Sequence, residues 1–159
     1  MIGGIFIDLE LWKSVSIIIG VVVSTLSIFM SVIEYSKQGT QKRANYFFEL
    51  RRRFLEKEIF MEICLLCENN DPKIKTISDN DRLMLLDIFE EVAIAMNSNL
   101  IRKEVVHYMF GYYVIKCWKC DSFWEDLDKN SSYWELFHKF VIQMEEMDTK
   151  KLKYNHMRF

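Results

Sequence analysis

The chain has 159 residues, enough for one compact domain and a membrane anchor. Hydrophobic residues make up 50%, which excludes a disordered chain, and one proline with five glycines favours long helices over many short strands. A net charge of −2 supplies no global attraction for nucleic acid or an acidic substrate, so any such binding has to come from a local patch.

Residues 1–13 are expected to form a short extracytoplasmic N-terminus, followed by a transmembrane helix over 14–33. Between Lys13 and Glu34 lie 20 residues without a charge, 13 of them strongly apolar. As a helix they span about 30 Å, the thickness of the hydrocarbon core. A cleavable signal needs a basic leading flank and a small-residue cleavage site. Here the flank carries Asp8 and Glu10, and the apolar run ends in Met30, Ser31, Val32 and Ile33 before Glu34. Trp12 and Tyr35 stand at the two ends, where amphipathic rings favour the headgroup level.

Orientation follows from the basic residues. Lys13 alone precedes the run, whereas Lys37, Lys42, Arg43, Arg51, Arg52 and Arg53 follow it. Positive charge is retained inside, so the N-terminus is expected out and the C-terminal domain in the cytoplasm. The cysteines then lie in a reducing compartment, where disulfides are rare.

The small polar residues of the span share one face. At about 100° per residue, Ser16, Gly20, Ser24, Ser27 and Ser31 fall within roughly 80° of one another, and Lys13 and Glu34 project onto the same face. Such a stripe suits close helix packing, because small residues let backbones approach. Capped by charge at both ends, it equally suits the lining of a water-filled path. Either use requires further copies of the chain, so the partners expected are the bilayer and the protein itself.

Beyond a juxtamembrane link at 34–40, residues 41–148 read as an all-α cytoplasmic domain, a four-helix up-down bundle. The first helix is predicted from about Gln41 to Cys67, with Phe47, Leu50, Phe54, Met61 and Leu65 at helical spacing and Asn69-Asn70-Asp71-Pro72 as its stop. The second is opened by a capping box, Ser78 with Asp81, and ends near Asn97-Ser98-Asn99. The third runs from Leu100 to about Lys119. After a link at 121–130, a second box, Ser132 with Glu135, opens a fourth helix ending near Met147. The aromatics from Tyr108 to Phe140 are expected in the core. Residues 149–159 read as a basic tail.

Three features bear on chemistry. Arg102 and His107 form an Arg-x4-His pattern at the start of the third bundle helix. An arginine stabilises developing phosphorane charge and a histidine moves a proton near neutral pH; a surface arginine beside a half-buried histidine is the structural alternative. Cys64 with Cys67, and Cys117 with Cys120, are two Cys-x2-Cys pairs, the spacing of a four-cysteine zinc site. They lack the glycine-bearing knuckle of zinc ribbons, and Leu65-Leu66 between ligands suits a core, so buried thiols are expected and no metal or cofactor. Arg51, Arg52 and Arg53 offer contact with a membrane surface or phosphate, although adjacent helix positions fan them over about 200°.

An N-out anchor, a compact helical domain and the Arg102/His107 pair resemble the small membrane-anchored, HEPN-like accessory protein of type VI-B CRISPR systems. The resemblance implies a HEPN-like bundle and a ring-shaped homo-oligomer, octameric, that forms a pore in the bacterial inner membrane. It also implies a functional link to an RNA-guided RNase in antiphage defence. The serine stripe fits a pore-lining helix. Active HEPN ribonucleases place a small polar residue directly after the arginine, whereas here it is Lys103, so no enzymatic activity is expected. Direct RNA binding stays open. The alternatives are a membrane effector gated by a nucleotide second messenger bound at Arg51–Arg53, and a membrane-tethered HEPN ribonuclease.

Overall fold

Every regular element among the described residues is helical, in keeping with a chain almost free of helix breakers. The computed structural model describes the backbone of residues 3–149 and the side chains of 11–149. The acidic leading flank (Asp8 and Glu10) and the basic tail beyond Thr149 lie outside the described side chains. Two compact units divide the chain, Met1–Lys42 and Arg43–Phe159. Helix α1, Gly3–Glu56, contributes to both.

In the first unit, α1 is long and apolar enough to cross a membrane, with a mean hydropathy of 2.4 over its best window and none of that window buried. Large apolar side chains are exposed over about 240° of the helix circumference, among them Ile17 at 66%, Phe29 at 63%, Ile19 at 57% and Val23 at 56%. Apolar surface of this kind, uncovered over most of the circumference, is suited to lipid rather than to water.

The second unit holds the core, and the first surprise lies at its start. Helix α1 stops at Glu56, Lys57 adopts an extended backbone (φ −86°, ψ 98°), and α2 runs from Glu58 to Glu68. The single helix expected from Gln41 to Cys67 is therefore broken. Phe47, Leu50 and Phe54 are buried and share one sector of a helical wheel, about 60° wide. On an unbroken helix Phe60, Ile63, Cys64 and Cys67 centre roughly 130° from that sector. A straight rod cannot bury both sets on one side. The break at Lys57 lets it happen, and all four α2 residues are 3% exposed or less. Met61 and Leu65 continue the earlier stripe in sequence, yet Leu65 is 57% exposed.

Local stops follow the sequence closely. Asn69 closes α2, Asn70 takes a left-handed φ of 48°, and Asp71 caps a 3-10 turn, Pro72–Thr76, by accepting from Lys73 N at 2.9 Å. Asparagine tolerates that conformation better than most side chains. Ser78 caps α3, Asp79–Asn97, by accepting from Asp81 N, as expected of a capping box. The second box does not form. A 3-10 turn, Ser132–Trp134, precedes the helix, and its cap is Ser131, which accepts from Tyr133 N at 3.3 Å. Ser132 is thus already inside a turn.

The third helix begins later than Leu100. It consists of α4, Lys103–Val106, a wider π-helical turn, His107–Gly111, and α5, Tyr112–Lys119. Helix α6 spans Glu135–Asp148. Helix α2 packs on α3 and α5, and α6 packs on α3 and α5. Phe54 sits among Phe60, Phe89, Phe110 and Tyr113, with ring centroids 5.3–6.4 Å away. Phe89 stacks on Phe137 at 5.9 Å. Aromatic pairs at such separations add about 0.5–1.5 kcal/mol beyond burial. Of the aromatics assigned to the core from sequence, Tyr108, Tyr112 and Tyr133 are instead exposed, at 58%, 51% and 84%.

Arg82 joins the link after α5 to α3. Only 2% exposed, it donates from Nη1 to the carbonyls of Phe123 (2.6 Å) and Glu125 (2.9 Å) and from Nη2 to Asp79. A guanidinium fork serves several acceptors at once. Arg82→Met should therefore lower stability by about 2–3 kcal/mol, because the buried Phe123 carbonyl and the part-buried Glu125 carbonyl lose a charged donor. Arg82→Lys should recover less than half of that. Thermal unfolding of the full chain in mild detergent measures both, and an unchanged midpoint in Arg82→Met contradicts the assignment.

Candidate functional site

Arg102 and His107 stand in different settings. Arg102 is the residue before α4, exposed and in extended backbone (φ −70°, ψ 142°). His107 is 9% exposed, and its Nε2 lies 3.0 Å from Asp148 Oδ1 at the end of α6. A carboxylate in that position fixes the ring's orientation. The pattern's histidine is thus held by a residue that sequence spacing did not nominate.

The π turn explains how the ring fits. Gly111 is helical, with φ −51° and ψ −44°, so its value is space rather than backbone freedom. A Cβ at position 111 would meet His107 Cδ2 at 2.9 Å. Position 111 holds the one glycine in the sequence beyond Gly39, and an isolated glycine in a helix often marks such a close approach. Wide turns of this type recur at functional sites.

The four cysteines do converge. All are free and buried. Hydrogen bonding from Cys117 first and then Cys120 lowers the Cys67 thiol from its ordinary range, against the opposing effect of burial. Cys117 is pushed up by its bonds to Cys64 and Cys67 and by burial, and Cys120 by its bond to Cys67 and by burial. Among the described residues, no three His, Cys, Asp or Glu side chains are spaced to hold a metal ion.

Cys67 also lines a cleft of about 370 Å³ at the junction of α2, α5 and α6, together with Glu68, Tyr112, Lys116, Lys119 and Asp148. Tyr112 Oη donates to Glu68 Oε1 at 2.5 Å, which raises the tyrosine's pKa because the carboxylate holds its proton. Lys119 pairs with Glu145 at 2.7 Å, and Lys116 lies over the Tyr112 ring at 5.5 Å. Asp148, the partner of His107, and Cys67 thus border a single concavity.

The remaining expected contacts are more scattered. Arg51 donates to the Met109 carbonyl at 3.4 Å, Arg52 lies between Glu49 (2.6 Å) and Glu56 (3.1 Å), and Arg53 pairs with Glu91 at 2.7 Å. These carboxylates offset the charge offered to a phosphate or a headgroup. Along the stripe, Ser16, Ser24, Ser27 and Ser31 each donate to the carbonyl four residues earlier, at 2.8–2.9 Å. Their hydroxyl protons are satisfied within the helix.

Gly111→Ala should cost about 1–3 kcal/mol despite the better helix propensity of alanine, because the His107 ring has to move. In a His107→Ala background the same substitution should be neutral or stabilising by up to about 1 kcal/mol. A double-mutant cycle on thermal unfolding reads the difference, and equal effects in both backgrounds would show that the ring does not need the glycine.

Comparison of the chain with protein-family models, with curated proteins and with solved structures finds no match, so its function has to be argued from the helix, the histidine pair and the thiol cluster themselves.

Proposed function

We propose that this chain is a membrane-anchored, self-associating accessory protein of RNA-guided antiphage defence. Its copies assemble through residues 14–33 into a pore that permeabilises or depolarises the inner membrane. The N-terminus lies out and residues 41–148, a HEPN-like helical bundle, lie in the cytoplasm. The observation that carries the membrane part is an α1 segment with apolar side chains exposed around most of its circumference and a stripe of small residues along the remaining face. The link to a type VI-B CRISPR RNase rests on the resemblance described from the sequence, and so does a closed ring of about eight copies.

Within this reading the domain acts as a scaffold and not as a nuclease. A general acid–base histidine has to reach the proton it transfers. His107 instead has one ring nitrogen against Asp148, and Arg102 lies outside the helix. The nucleotide-gated alternative through Arg51–Arg53 is disfavoured by the acceptors those three guanidiniums already have.

The stripe provides the test. Ser24→Leu and Ser27→Leu add bulk and remove hydroxyls on the face assigned to the axis, so they should reduce depolarisation several-fold. Val22→Leu, at least about 120° from every stripe residue, should be nearly silent. A membrane-potential dye in cells expressing each variant at matched levels makes the comparison, alongside an RNA-cleavage assay on the purified wild type. Equal depolarisation by all variants would remove the pore lining. RNA cleavage lost in His107→Ala would replace the scaffold reading with a ribonuclease.

A further inference from the structure

Three tryptophans cluster between the end of α5 and the start of α6, and a lysine lies on two of them. The Trp118 and Trp124 rings have centroids 5.3 Å apart and planes at 77°, and Trp134 stands 6.0 Å beyond Trp124. Lys129 Nζ is 4.5 Å from the Trp118 centroid and 5.9 Å from that of Trp124. Two indole walls near a right angle with a cation between them are the working part of an aromatic cage for ammonium ions. We propose that the corner between Trp118 and Trp124 is a binding site for a quaternary ammonium ion, with Lys129 as a displaceable occupant.

The two walls are held by partners other than Lys129. Trp118 stacks on His138 at 4.6 Å and 15°. Trp124, 5% exposed, donates from Nε1 to the Cys117 carbonyl at 3.1 Å. The lysine is placed differently. It is half-buried, in a turn where Ser131 N donates to the Asp128 carbonyl at 3.0 Å and Asn130 N to Asp128 Oδ1 at 3.1 Å. Neither bond uses the Lys129 side chain, so that side chain can leave the rings while the turn and both walls stay in place.

The chemistry of the corner selects the ligand. A primary ammonium is strongly hydrated and has three N–H donors, which lose water over a ring face. A quaternary ammonium has no N–H to satisfy, so it gains the same attraction at a smaller desolvation cost. The surrounding charge excludes anions. Residues 121–130 carry Asp121, Glu125, Asp126 and Asp128 against Lys129 alone; Glu125 is engaged by Lys75 at 2.5 Å, and the others add negative potential beside the rings. A trimethylammonium group can arrive as free choline or as the choline headgroup of a lipid.

The full chain in an alkyl maltoside is titrated with choline chloride, with sodium chloride holding the ionic strength constant. Saturation-transfer NMR on the choline methyl protons reads binding directly. Lys129→Ala should tighten it about 3–10-fold, because the competing occupant is gone. Lys129→Arg should weaken it, because a guanidinium stacks on an indole face more firmly than an ammonium does. A lysine that merely ties the turn to the domain cannot give opposite signs. Trp118→Leu should remove saturable binding; should that variant not fold, Trp118→Phe keeps a smaller ring and should weaken binding several-fold. Nanodiscs identify the source: a choline signal lost in headgroup-deuterated phosphatidylcholine but kept in phosphatidylglycerol assigns the lipid headgroup, and an equal signal in both assigns the free ion. No saturable binding in the wild type or in Lys129→Ala would overturn the proposal. So would shifts of the same sign in Lys129→Ala and Lys129→Arg, or competition by ammonium chloride as effective as that by tetramethylammonium chloride.

Discussion

The second unit depends on a mismatch of helical phase between Phe54 and Phe60. The chain carries two apolar sets on one stretch of strong helix formers, and no straight helix can turn both towards one core. The conflict is resolved at Lys57, without proline or glycine, by one residue in extended backbone. Burying Phe60 and Ile63 fully is worth about 1.5–3 kcal/mol each, which exceeds the cost of one interrupted helical turn. The break has a further consequence. It turns Cys64 and Cys67 inward, against α5, instead of leaving them on the outer face of a continued rod. Without it there is no thiol cluster and no Cys67 at the cleft.

This mismatch also marks how far the sequence could be read. Stops carried by particular side chains were legible: Asn69-Asn70-Asp71-Pro72 ends α2, and Ser78 opens α3 through a hydrogen bond to its own third residue. A helix long and apolar enough to cross a membrane was legible because 20 residues without a charge run unbroken between Lys13 and Glu34. The break at Lys57 was not, since following Phe54 to Met61 and Leu65 satisfies the period equally well on paper. Only competition between the two sets, settled by packing, exposes Leu65 and buries Phe60. The cap at Ser132 failed for a related reason, because an intervening 3-10 turn made Ser131 the first residue with a free side-chain acceptor role. In the site, neither Asp148 nor Arg82 had a local signal. Each acts 41 residues or more from at least one partner.

The stripe of small residues along α1 shows a different limit of pattern reading. From sequence, four serines on one face appear to demand partners, because a hydroxyl in hydrocarbon is costly. In the helix each proton goes to a carbonyl four residues back, so one chain alone meets the larger part of that demand. What remains is small volume and a row of acceptor lone pairs. Small volume favours close approach of like helices, and lone pairs favour water or a donor from a neighbour. The stripe's argument for self-association thus rests on shape more than on unsatisfied polarity.

The charges around the bundle follow the same principle of internal satisfaction. Arg52 between two glutamates and Arg53 on Glu91 form exposed pairs, each worth little in stability. Their effect is instead on recognition: a cation with a carboxylate at 2.6–2.7 Å is a poor magnet for an external phosphate. The lysines of the cleft differ in setting. Lys116 lies over the Tyr112 ring, and Lys119, paired with Glu145, shares one concavity with Glu68, Asp148 and Cys67. That lining carries both signs of charge and has a thiol at its edge. Burial therefore does not make the four cysteines equivalent. Position relative to the cleft separates Cys67, which lines it, from Cys117, which is fully buried.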